Sequence, residues 1–153
     1  MDELAKYFEE VASKNAKLAI ASPGDLRLAI NAIMTLDGFF GSLHTRLRED
    51  AKVGEDSDDK WKENLACQNK YYRLLRDAAY ALKHGNLTRG KSRVVRRSDQ
   101  ILAVPGAFSS QAFQANAFQT GMVWIDAEDT NYRAHEVIKE VVGFARQVFS
   151  SFR

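Results

Sequence analysis

Apolar side chains recur at three- and four-residue steps through most of this chain, and that pattern predicts four helices. Leu4, Phe8, Val11 and Leu18 give residues 2–21 one apolar stripe. Ile30, Ile33, Met34, Leu36, Phe40, Leu43 and Leu47 give residues 23–48 a broader one. Ser22 is placed to cap this second helix, Pro23 suits the first helical position, and Asp25 meets the positive end of the dipole. A third helix over 57–84 opens on Ser57-Asp58-Asp59, carries Trp61, Leu65, Tyr72, Leu75, Ala79 and Leu82, and stops at Lys83-His84-Gly85.

Beyond Gly85 the pattern changes. Arg93-Val94-Val95, Ile101-Leu102-Ala103-Val104 and Met122-Val123-Trp124-Ile125 are β-prone, and Pro105-Gly106 marks a turn. Residues 92–128 therefore read as a two-stranded antiparallel ribbon. Between its strands Ala-Phe occurs at 107–108, 112–113 and 117–118, which predicts an ordered loop whose phenylalanines either dock on the body or form a binding surface. Asp129-Thr130 is set to cap a last helix over 131–150, with Val137, Ile138, Val141, Val142, Ala145, Val148 and Phe149 inward. The expected fold is α+β and mainly α: one domain over 1–153, a three- to four-helix bundle with the ribbon before the last helix.

Composition narrows the function classes. With 45% apolar and 27% charged residues, the chain has globular values and can bury a core. No apolar run approaches the ~20 residues of a membrane span, and Met1-Asp2-Glu3-Leu4 lacks the basic start of a secretory signal. Cys67 is the single cysteine, so no internal disulfide forms, and a reducing, cytoplasmic setting is expected. Its place in mid-helix suggests a packed thiol, and Trp61 and Trp124 read as core or interface anchors. There is no phosphate-cradling Gly-rich loop and no nucleophile elbow.

The net charge of +2 predicts no polyanion partner, but the distribution is uneven. From Lys83 to Arg97 the chain has Lys83, Arg89, Lys91, Arg93, Arg96 and Arg97 and no acid. Such a segment would follow a phosphate backbone, or would be a solvated hairpin whose charges blunt a sheet edge. Seven acids against three lysines between Glu49 and Glu63 give an opposing cluster.

The polar residues that stand out lie near the end of the third helix, where Arg73, Asp77, Tyr80, Ala81 and His84 fall at three- and four-residue steps on one face. The string Asp77-Ala78-Ala79-Tyr80-Ala81-Leu82-Lys83-His84-Gly85 resembles a motif of uncharacterised bacterial helical proteins, an Asp/Ala-rich helix ending in Lys-His-Gly. More distantly it is similar to the HEPN superfamily, helical bundles that include RNA-cleaving toxins. The HEPN motif is an Arg and a polar residue followed by a His after four to six residues; here Arg76-Asp77 supplies the pair and seven residues separate Arg76 from His84. The resemblance implies a metal-independent ribonuclease site in which His84 is the general acid/base on a ribose 2′-hydroxyl, Arg76 holds the phosphate and Asp77 sets the geometry. Lys83, Arg89, Lys91, Arg93, Arg96 and Arg97 would then guide the RNA. Without that activity, Lys83 and His84 satisfy the helix end and Asp77 pairs with an arginine.

Asp37 and His44 repeat the seven-residue spacing of Asp77 and His84 and raise the question of a metal. If the second and third helices form an antiparallel pair, the two Asp/His sets are offset by about 10 Å at 1.5 Å per residue. Asp37 then faces Lys70 or Arg73, and no metal or cofactor is expected. Two readings stay open: an interaction or scaffold domain that self-associates as a homo-oligomer, and a HEPN-like RNA-binding or RNA-cleaving protein. Neither involves a membrane, and whether the chain is an enzyme is left undecided.

Overall fold

A computed structural model describes residues 2–54, 57–87, 93–104, 121–128 and 130–152. Glu3–Tyr7, Phe8–Ala12 and Ser13–Ala21 run on as one helix, α1, whose middle turn is π-helical and whose junctions all keep right-handed helical dihedrals. A π turn admits an extra residue, and one residue rotates the face that follows by about 100°. The stripe is re-phased accordingly. Leu4 and Phe8 are buried as expected, but Val11 and Leu18 are 37% and 52% exposed, and Ala12, Ala16 and Ala19 pack inward in their place.

The second helix, α2 (Leu26–Glu49), begins later than residue 23. Its cap is Asp25, which accepts from the Leu28 N–H at 3.0 Å. Ser22 does not cap it; the Ser22 N–H donates to Leu18 O and closes α1. Ile33, Leu36, Phe39, Phe40, Leu43 and Leu47 are buried along α2, which packs against all the other helices.

The segment 57–84 is two helices, α3 (Asp58–Gln68) and α4 (Lys70–His84). Asn69 is extended (φ −140°, ψ 112°), and its side chain accepts from the N–H groups of Tyr71 and Tyr72 at 3.0 and 2.9 Å. Asparagine competes for backbone donors in this way and so favours helix starts over helix interiors. The bend is sharp. On a continuous helix residues 59 and 76 would lie about 25 Å apart, yet Asp59 Oδ1 and Arg76 Nη2 meet at 2.7 Å.

A short 3₁₀ turn, Ser98–Gln100, leads into β1 (Ile101–Val104), which pairs antiparallel with β2 (Met122–Asp126). The ribbon expected over 92–128 has a third strand, β3 (Asn131–Arg133), giving the order β1-β2-β3. Residues 131–133 therefore belong to the sheet, because they ladder with residues 124–126 and are held by that pairing before the helix begins. The last helix, α5 (Ala134–Ser151), starts at Arg133, which makes no side-chain cap, so Thr130 does not cap it; the Thr130 carbonyl accepts from Ala127 N–H. Val94 and Val95 form no strand; Val95 is instead fully buried beside an isolated bridge between Asn86 and Arg97. The Ala-Phe repeat at 107–118 lies outside the described residues, as do Arg89, Lys91 and Asp129.

The result is a mainly helical α+β fold with the sheet inserted before α5. One apolar cluster draws on every helix and on β1 and β2, with Phe40 against Tyr72 (4.2 Å) and Phe39 against Phe8 (4.7 Å) at its centre. The sheet is pinned to the α1–α2 turn. Val123 N–H donates to Pro23 O at 2.8 Å, and a Cβ on Gly24 would lie 2.4 Å from Gly121 O. No helix among the described residues is long and apolar enough to cross a membrane.

Candidate functional site

The second half of α4 carries the residues that the sequence singles out. The helix is unbroken from Lys70 to His84, so Asp77, Tyr80 and His84 do share a face. Gly85 closes it with φ +77°, a conformation open to glycine at little cost, and its N–H donates to Ala81 O. Against this face lies the extended segment beginning at Arg93.

Arg76 and Asp77 are committed to internal bonding. Arg76, 2% exposed, donates to Glu63 Oε2 at 2.6 Å, to Asp59 Oδ1 at 2.7 Å and to Asp59 O at 3.3 Å. It thereby ties α4 to α3 across the Asn69 bend. Burial, the largest single influence, pulls its guanidinium down, but Glu63 together with Asp59 and Asp77 reverses this and holds it above the usual arginine value. Asp77, 1% exposed, accepts from Arg93 Nη1 and from Val94 N–H, each at 2.9 Å, with Arg76 Nη1 at 3.9 Å. Burial pushes its carboxyl above the ordinary aspartate value, and the Val94 N–H, Arg93 and Arg76 oppose that only in part.

His84 stands apart from both. It is exposed, and at 1.5 Å per residue it lies about 10 Å along the axis from Asp77 and about 12 Å from Arg76. Two groups bridge that gap: the Arg93 guanidinium lies 4.0 Å over the Tyr80 ring, whose centroid is 4.7 Å from that of His84. Carboxylate, guanidinium, phenol and imidazole thus follow one another up the face. Asp77 does not touch the imidazole; its contact is with the Arg93 segment.

The described cations of the basic stretch each meet an acid of the same chain. Lys83 Nζ lies 2.6 Å from Asp37, Arg93 is on Asp77, Arg96 is 3.0 Å from Glu128, and Arg97 is 2.9 Å from Asp99. Beside them a cleft of about 450 Å³ is lined by Asn86, Leu87, Arg96, Arg97, Gln100 and Glu128.

A second polar cluster lies between α2, α3 and α4. Buried Asp37 takes Lys83 from α4 and Lys62 Nζ from α3 at 3.5 Å, and Lys62 also reaches Asp58 at 3.1 Å. Asp37 therefore does not pair with Lys70 or Arg73, because the Asn69 bend reorients α4; Arg73 instead reaches Glu63 at 3.3 Å. His44 Nδ1 is 3.8 Å from Asp58 Oδ1, and its ring lies 5.4 Å from Trp61. Among the described residues the buried Tyr72 hydroxyl has no hydrogen-bond partner, and burial, with Asp37 next, raises it well above the ordinary tyrosine value. The sequence held one signal for Lys62. Glycine in mid-helix costs about 1 kcal/mol, and Gly41 leaves the room Lys62 uses, since a Cβ there would sit 3.3 Å from Nζ. Among the described residues no group of three or more His, Cys, Asp or Glu is placed to hold a metal. Comparison with known proteins finds no family model, no curated protein and no solved structure that matches this chain.

Proposed function

We propose that this chain is a small cytoplasmic interaction domain, self-associating, that acts by binding protein and not by turning over a substrate. The observation that carries this reading is the bonding of Arg76 and Asp77. A phosphate-holding arginine must reach solvent, whereas Arg76 is sealed by two acids from α3. An acid that orients a catalytic histidine must touch it, whereas Asp77 is spent on Arg93 and Val94. The described surface also leaves apolar side chains of one sheet face in solvent, Leu102 and Val104 at 37% and 43% exposure.

A HEPN-like RNA-binding protein or ribonuclease is the second reading, favoured by the stacked Arg93, Tyr80 and His84 beside the Arg96/Arg97 cleft. The two separate in one assay. The purified chain is incubated with labelled single-stranded RNA in EDTA at about 100 mM salt, where phosphate-driven affinity is still visible. The interaction reading expects no cleavage and no anisotropy change. Cleavage abolished by His84→Ala, or binding weakened by Arg96→Ala with Arg97→Ala, overturns it in favour of RNA.

A further inference from the structure

We propose that the chain self-associates by straightening at Asn69 and exchanging halves, so that α1–α3 of one copy pack on α4, the sheet and α5 of a second. The inference rests on the interaction reading and names its partner, another copy of this chain. Asn69 is the one residue between α3 and α4, and the bend is confined to it (φ −140°, ψ 112°). On either side the backbone already keeps helical register. Asn69 N–H donates to Leu65 O at 3.1 Å and Arg73 N–H to Asn69 O at 3.0 Å, both four-residue steps. Bringing this residue to helical dihedrals moves the Tyr71 and Tyr72 N–H groups from Asn69 Oδ1 to the carbonyls of Cys67 and Gln68. The apolar face survives as well. Trp61, Leu65, Tyr72, Leu75 and Ala79, all buried, hold one stripe at 3.6 residues per turn across the break.

What a straight helix cannot keep is the tie across the bend, and that loss selects the partner. Asp59 and Glu63 would lie about 25 and about 20 Å along the axis from Arg76, leaving a buried guanidinium without its two acids. The α3 of a second copy supplies the same carboxylates one turn apart, with Trp61 and Leu65 at the same spacing beside them. Other contacts across the seam transfer likewise: Lys83 on Asp37, Val123 N–H on Pro23 O, Phe40 against Tyr72, and Phe39 against Phe149 at 5.8 Å. Lys62 keeps Asp37 and Asp58 within its own half. Contacts common to the one-chain and two-chain forms cancel. The hinge and the effective concentration of the tethered half therefore decide between them, and short hinges invite exchange.

The halves part only when the core opens, so the whole chain is equilibrated by refolding from urea at about 5 to about 200 µM and sized by sedimentation velocity. The wild type should pass from monomer toward dimer across that range. Asn69→Ala removes the cap of the bent form at both hinges and should tighten the dimer by about thirty-fold. Lys70→Pro acts the other way. Lys70 is exposed at the first position of α4 and follows an extended residue, where proline fits, whereas proline breaks a continuous helix. It should weaken the dimer by about a thousand-fold or more and leave the monomer's circular dichroism spectrum unchanged. A dimer formed through an outer surface is indifferent to both changes. If the wild type dimerises and neither variant shifts it, exchange at Asn69 is overturned while self-association stands. If the wild type stays monomeric at about 200 µM, exchange and self-association fall together.

Discussion

A carboxylate buried as deeply as that of Asp77 is tolerable because three donors face it. Removing it leaves the Val94 N–H unpaired and takes a counter-ion from two arginines, one of them buried. Asp77→Ala should therefore cost about 3 kcal/mol, the scale for breaking a buried ion pair, read from urea unfolding. The pH dependence has a definite sign. The folded-state carboxyl titrates above its ordinary value of 3.8 because burial outweighs its partners. The folded chain thus binds this proton more tightly than the unfolded chain, so the group's contribution is greatest in acid and is lost as pH rises through the raised value. The thermal midpoint of wild type relative to Asp77→Asn should fall as pH increases from below 3.8 toward neutrality. A gap that widens instead would show the partners outweighing burial. That Asp77 and His84 share a face is legible in the spacing. That Arg76 meets Asp59 and Glu63 is not, because residues 13 and 17 positions away come within reach only through a bend that no apolar periodicity records.

At the scale of elements, the bend and the sheet anchor make separate predictions. Asn69→Ala removes the acceptor for two N–H groups of α4 and should cost about 1 kcal/mol, a typical capping loss. Its mark on the unfolding curve should come with unchanged helix content, since α3 and α4 are also tied by Arg76. Gly24 and Gly143 form a matched pair. A Cβ at Gly24 would press into the Gly121 carbonyl, whereas one at Gly143 meets nothing within 4 Å. Gly24→Ala should lower stability by about 1–3 kcal/mol, and Gly143→Ala, on an exposed turn of α5, should raise it by about 0.8 kcal/mol. Differential scanning calorimetry of both variants checks opposite signs in one experiment. Helices were readable wherever spacing and caps agreed, as at Ser57, whose side chain accepts from Lys60 N–H. The pattern misleads where one signal stands alone. Leu65 and Tyr72 lie seven apart and suit one helix or two, and the π turn shifted the phase behind Val11 and Leu18. The three residues of β3 are too few to carry an alternation, and only their long-range partners make them a strand.

For the molecule as a whole, the single apolar cluster predicts cooperative unfolding. Trp61 on α3 and Trp124 on β2 report from different elements joined by that cluster. Fluorescence of variants keeping one tryptophan each should give transitions that coincide with far-ultraviolet circular dichroism. Separate midpoints would show the sheet melting away from the helices. The contact between Pro23 and Val123 has a further consequence. Beyond the three residues of β3, the far side of β2 is occupied by a helix–helix turn, and the residue that occupies it is an imino acid able to accept but not to donate. An added donor strand would find no N–H to meet there, so the ladder on that side of β2 stops at Arg133, where the chain turns into α5.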